Sequence, residues 1–210
     1  FEPPDALSRG KRASLESALR RAADRAQSNL ETWLSGDIQV TLGAFGLAKD
    51  YAPGDAESVT RFSLRIRGEA EEGEAVIELS LAAALVRAKL RTTKEPVERA
   101  LTEVEMAILE AETAALVGSI SEATEPLFGS PLVLGNRQRE ACEGPSESSL
   151  LWARFEFGWE GVAGPLWIGL PAKAVRARVE GTTKTAKMEV KELTERWIGL
   201  LEPVRVPLAV

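Results

Sequence analysis

The chain has 210 residues, 44% of them hydrophobic and 28% charged, with a net charge of −6. That length and balance give a globular protein with a full core, and the acidic excess argues against nucleic acid or an anionic membrane as a partner. Histidine is absent and Cys142 is the only cysteine. This leaves no conventional zinc site, no Ser-His-Asp or Cys-His nucleophile and no internal disulfide. The cysteine usage points to a reducing compartment. No apolar run approaches the ~20 residues of a membrane-spanning helix, and nothing calls for a cofactor.

Residues 1–12 hold Pro3, Pro4 and Gly10 and read as a lead-in. From 13 to 34, Leu15, Ala18, Leu19, Ala22, Ala26, Leu30, Trp33 and Leu34 recur at helical spacing. Residues 38–42 alternate as a strand, and 43–58 read as a loop. Phe62, Leu64 and Ile66 alternate with Arg61, Ser63, Arg65 and Arg67, which predicts a strand with one apolar and one basic face. A turn over 68–73 leads to a returning strand at 74–79, and Ser80 is placed to cap a helix over 81–90. Residues 91–99 form a polar connection. Thr102 and Glu105 then have capping-box spacing, ahead of a stripe of Val104, Ile108, Ala111 and Ala115. This second long helix is expected to stop near Glu125, before Pro126. Strands follow at 131–138, 151–157 and 165–170. Between the last two lies a turn over 158–164 that holds Trp159. Pro171 suits the first position of a helix running to about Val179.

The order helix, strand, hairpin, helix therefore occurs twice, over 13–90 and 101–180, with Ser14 matched to Thr102 and Leu64 to Phe155. That spacing predicts an internal duplication. The expected fold is α/β (α+β): two helix–three-strand–helix units related by a pseudo-two-fold. Each contributes an antiparallel three-stranded meander to one mainly antiparallel sheet, with helices on its faces. A helix and linker over 183–202 and a strand over 203–210 look like the entry to a further domain. The start at Phe1 is read as the start of an excised piece.

Four segments carry a resemblance to a known family. LTEVEMAIL (101–109), IELSLAAALVRAKL (77–90), GPLWIGLPAKAV (164–175) and LLEPVRVPLAV (200–210) resemble segments of the flagellar motor switch protein FliM. The first three are similar to its middle domain, of the CheC/CheX/FliM-like superfamily. The last resembles the lead into its surface-presentation-of-antigens (SpoA-type) domain. The resemblance implies a non-enzymatic, cytoplasmic subunit of the switch ring, peripheral to the inner membrane. Its implied partners are FliG-like and FliN-like ring proteins, neighbouring copies of itself and phosphorylated CheY. The family's FliG-contacting loop is glycine-rich, whereas the corresponding residues here are Arg91, Thr92, Thr93, Lys94 and Glu95. A sorting-platform scaffold of the SctQ type, from a type III secretion system, is the alternative that this departure raises.

Phosphatases of the same superfamily are a third possibility. They place Asp or Ser, then Glu, then Asn along one face of a long helix, where the last two orient a water. The matching positions here are Ala107, Ala111 and Ala114, and by the duplication Leu19, Ala23 and Ala26. None carries a group that positions water. The remaining features have plain readings beside sharper ones. Glu69, Glu71, Glu72 and Glu74 make a solvated turn or, alternatively, a metal site; Arg61, Arg65 and Arg67 make ordinary surface beside helix carboxylates or, alternatively, a seat for an acidic partner; and most tryptophans are core. Trp159, in its turn, is the one placed to meet a partner.

Overall fold

The structure, a computed structural model, describes residues 7–32, 34, 37–47, 53, 59–91, 101–138, 150–159 and 162–180. In chain order these form α1 (Arg9–Glu31), β1 (Ile38–Gly46), β2 (Val59–Ile66), β3 (Gly73–Glu78), α2 (Leu79–Leu90), α3 (Glu103–Phe128), β4 (Leu132–Gln138), β5 (Leu150–Trp159), β6 (Val162–Pro171) and α4 (172–180). The six strands make one antiparallel sheet in the order β1-β5-β6-β3-β2-β4.

That order reads the same from both edges once β1 is matched with β4, β5 with β2 and β6 with β3. The pseudo-two-fold runs between β3 and β6, where Val76 faces Trp167. The two units are not separate meanders, however. β1 pairs with β5 of the other half, and β4 pairs with β2. Each half lends its first strand to the other's hairpin. Both edge pairings carry a register shift. In β1 it falls between Leu42 and Ala44, and in the β2–β4 pair between Phe62 and Leu64. Such irregular edges discourage pairing with other chains.

Alternation along the strands sorts the two faces of the sheet. Phe62, Leu64, Ile66, Ala75, Ile77, Phe155, Phe157, Leu166, Ile168 and Leu170 face one side, and all four helices pack into the core cluster that they form. Among the described residues the helices thus cover one face of the sheet rather than both. On the other face Arg61 and Glu74 form a largely buried ion pair at 2.8 Å. There Trp152 lies across Gly169, so that a Cβ at 169 would come within 2.7 Å of the indole ring.

Helix boundaries differ from expectation at several ends. α1 starts at Arg9, not at residue 13, because the Arg12 amide donates to the Ser8 carbonyl and continues the ladder through Gly10. α2 starts at Leu79, with Glu78 rather than Ser80 before it and no side-chain cap. α3 passes Pro126 and ends at Phe128, where Gly129 takes φ 64° and its amide closes on the Glu125 carbonyl at 2.7 Å. Proline removes only the bond to Glu122, which is exposed to water. The glycine cap, not the proline, sets the end.

The hairpin after β5 is tighter than expected. Trp159 belongs to the strand, paired with Ile38 and Val162 and packed against the core. It is a packing residue, not a turn residue offered to a partner. Pro171 is the last residue of β6, opposite Leu150, and the helix begins after it. Cys142, Trp33, Trp197 and the expected elements over 183–210 lie outside the described residues.

Candidate docking site where α2 meets α3

Apolar positions of α2 fall three and four apart: Leu81, Ala82, Leu85 and Val86 are buried in the shared core. Its last turn carries Arg87 and Lys89, cations at the negative end of the helix dipole. Arg91 caps it in the left-handed conformation, at φ 51° and ψ 39°, with its amide on the Ala88 carbonyl at 3.1 Å. It is the only non-glycine residue with positive φ among those described. A side chain there costs on the order of 1 kcal/mol that glycine avoids. Thr92, Thr93, Lys94 and Glu95, the rest of the expected contact loop, lie outside the described residues.

α3 starts close by. Thr102 and Glu105 form the predicted capping box: the Glu105 amide donates to Thr102 Oγ1 at 3.3 Å, and the Thr102 amide donates to Glu105 Oε2 at 2.8 Å. Glu103 and Glu105 place negative charge at the positive end of the dipole. Lys89 Nζ reaches Glu112 Oε1 at 2.8 Å and ties the two helices together. Glu112 is buried and Lys89 half exposed, so the pair holds the angle between α2 and α3.

Two large hydrophobic side chains are exposed among the described residues, and both belong here: Leu90 at the end of α2, 48% exposed, and Val104 at the start of α3, 69% exposed. The expected stripe of Val104, Ile108, Ala111 and Ala115 is not the core face of α3. Val104, Ala111 and Ala115 are exposed and Ile108 half-buried. The core side is instead Leu109, Thr113, Leu116, Val117, Ile120, Thr124 and Phe128. Sequence periodicity missed it because hydroxyls sit among the apolar residues. Thr113 Oγ1 donates to the Leu109 carbonyl at 2.7 Å and Thr124 Oγ1 to that of Ile120 at 2.9 Å. Each hydroxyl is satisfied within the helix, so it can be buried without a partner elsewhere.

The same exposure locates the positions that superfamily phosphatases would use. Ala107, Ala111 and Ala114 face outward on α3. Leu19, Ala23 and Ala26 are buried against the core, so they are not their equivalents. Counted from the N-caps Ser8 and Thr102, the matching residues of α1 are Ala13, Ser17 and Arg20, all exposed. Neither set supplies a carboxylate and amide to orient a water. Asn29, the one asparagine of α1, instead donates to Ser119 Oγ across the α1–α3 contact, a tie the sequence did not signal.

Other expected surface features resolve into structural contacts. Arg61 pairs with Glu74 on the neighbouring strand, not with a helix carboxylate, and Glu69 pairs with Arg178 of α4 at 2.6 Å. Arg65, Arg67, Glu71 and Glu72 are exposed. Among the described residues no three His, Cys, Asp or Glu side chains gather as a metal site, and no helix is long and apolar enough to cross a membrane. The region therefore offers two exposed apolar side chains, Leu90 at the basic end of α2 and Val104 at the acidic start of α3.

These features define a class: a pseudosymmetric α+β domain of two interlocked halves, with an apolar corner where the halves join. Solved structures place it further. The FliM middle domain from H. pylori matches with a TM-score of 0.71 at 12% identity, over 83% of this chain and 99% of that one. A chain of the FliG–FliM complex from H. pylori matches with the same TM-score at 12% identity, over 81% and 100%. Thermotoga maritima FliY matches at 0.66 and 16% identity, over 85% and 98%. The fold of this chain is that of FliM middle domains. No protein-family model matches the sequence, and no curated protein matches it either.

Proposed function

We propose that this chain is a non-enzymatic scaffold of a flagellar motor switch ring. It holds a FliG-like protein at the α2–α3 corner and passes a change of state to it. The observation that carries this reading is the FliM middle-domain fold over most of the chain, one match being a chain of a FliG–FliM complex. The geometry of the corner supports it. Leu90 and Val104 bracket the 91–95 stretch in the chain and offer apolar area to a partner, while the Lys89–Glu112 pair and the Thr102 capping box hold their helices in place. In the ring the domain also stands beside neighbouring copies and FliN-like proteins, on the cytoplasmic side of the inner membrane, and responds to phosphorylated CheY.

Arg91 favours keeping a second reading. A side chain at the left-handed position, where the flagellar loop is rich in glycine, fits the sorting-platform scaffold of a type III secretion system. One experiment separates the two. Immobilised FliG middle domain is expected to capture this chain at ~10 μM, with capture lost on Leu90→Asp or Val104→Asp. Absence of capture at ~50 μM by a folded sample counts against the flagellar reading.

A further inference from the structure

The sheet face away from the helices carries charge that the fold does not use. Arg61, Arg65 and Arg67 alternate along β2 and the residue after it, and so share that face. Their surroundings differ. Arg61 is largely buried against Glu74 at 2.8 Å. Arg65 and Arg67 are exposed, and neither has an ion-pair partner among the described residues. The acids nearest in the chain do not answer them. Glu69 is held by Arg178 of α4 at 2.6 Å, and Arg178 also donates to the Ser130 hydroxyl at 3.2 Å. Glu71 and Glu72 are exposed in the turn and make no ion pair with either arginine.

Arg65 and Arg67 border an open depression with Val133 of β4 in its floor and Gly68 and Ala70 at its end. The backbone beneath both arginines is fixed. Arg65 lies opposite Val133 in the ladder, and the Arg67 amide donates to the Pro131 carbonyl at 2.9 Å. Gly68 takes φ 87° and turns the chain out of the strand directly after Arg67. Beyond Val133 the floor stays low, because Gly135 lies against Ser63 with no room for a side chain.

We propose that this depression docks an extended acidic segment of a partner protein, whose carboxylates stand two residues apart and meet Arg65 and Arg67 together. Two residues of extended chain advance ~6.5–7 Å. Carboxylates at alternate positions of a strand therefore repeat the spacing of the two arginines, whereas acids on one face of a helix are three and four apart. Guanidinium and carboxylate match fork to fork, and Val133 and Ala70 add apolar contact beside the charges. Each exposed pair is weak alone, so recognition rests on having two at a fixed spacing. The net charge of −6 repels an acidic segment from much of the remaining surface, which makes the local basic pair selective. The site does not depend on the FliG reading, whose Leu90 and Val104 belong to helices on the other side of the sheet.

The test is an NMR titration of the isotope-labelled full chain, at low salt, with the acetylated and amidated peptide Thr-Glu-Thr-Glu-Thr. The expected result is saturable binding with a Kd of ~0.1–1 mM. Amide shifts are expected to centre on residues 65–70 and 133, and binding to weaken several-fold at high salt. Arg65→Glu/Arg67→Glu is expected to weaken it at least ~10-fold, and Arg65→Gln/Arg67→Gln to do so without reversing the charge. Arg9→Glu/Arg21→Glu makes the same charge change on exposed positions of α1 and is expected to bind like wild type. Thr-Glu-Thr-Thr-Glu-Thr, of equal charge and wider spacing, is expected to bind several-fold more weakly. Circular dichroism checks that each variant is folded. No saturable binding at ~5 mM, equal losses in the β2 and α1 variants, indifference to spacing, or inorganic phosphate binding as tightly as the peptide would each overturn the proposal.

Discussion

Replacing Glu74 tests the least conspicuous interaction of the sheet. The Arg61–Glu74 pair lies on the face opposite the helices, at 2.8 Å, with side chains 12% and 6% exposed. At an effective dielectric of ~20, charges about 4 Å apart attract by ~4 kcal/mol, much of it offset by the loss of water around both. Removing one member leaves the other charge largely buried and unanswered. Glu74→Ala is therefore expected to cost ~3 kcal/mol in a urea titration, and to lower Tm by roughly 6–12 °C for a chain of this length. The double variant Arg61→Met/Glu74→Leu removes both charges and keeps the volume. It is expected to lose less than either single change, a coupling that a double-mutant cycle reads directly. Additive losses in that cycle, or a Glu74→Ala loss under ~0.5 kcal/mol, would refute the reasoning.

Three further outcomes follow from particular contacts. Gly169→Ala drives a methyl group into the Trp152 ring and is expected to cost ~2 kcal/mol in the same titration, part of which Trp152→Phe recovers in the double variant. Thr102→Ala removes the capping box and is expected to cost ~1 kcal/mol and to speed amide exchange in the first turn of α3. Arg9→Glu replaces a cation at the positive end of α1 and is expected to raise thermal stability by ~0.5 kcal/mol. A fall in stability would show that Arg9 is held by the fold itself.

Much of the architecture could be read from local rules. Thr102 and Glu105 announced their capping box because its chemistry lies within four residues. Phe62, Leu64 and Ile66 announced their strand because one face is core and the other is not. What failed was longer in range. No local pattern says that Thr41 will pair with Glu156 rather than with its own half, because either strand would satisfy the same backbone groups. The core side of α3 was hidden by Thr113 and Thr124, whose hydroxyls bond within the helix and so look polar only in the sequence. Its solvent side was disguised by alanine, which suits either environment. That ambiguity also misplaced the duplication by about a turn and a half, setting buried Leu19, Ala23 and Ala26 against exposed Ala107, Ala111 and Ala114. Of the proposed contact stretch only Arg91 is described, as the left-handed cap of α2, and the exposure of Leu90 and Val104 emerged only once both helices were in place.

The exchange of first strands bears on how the chain is made. β1 leaves the ribosome early, but its partner β5 follows roughly 115 residues later. At ~5–20 residues per second that is a wait on the order of 10 s. Until then α1 and β1 have no complete sheet to rest on, and the N-terminal half cannot close by itself. Synthesis of this domain is therefore a single commitment made near its end. A nascent chain stalled anywhere before residue 150 exposes the apolar side of β1 to whatever chaperone is nearest.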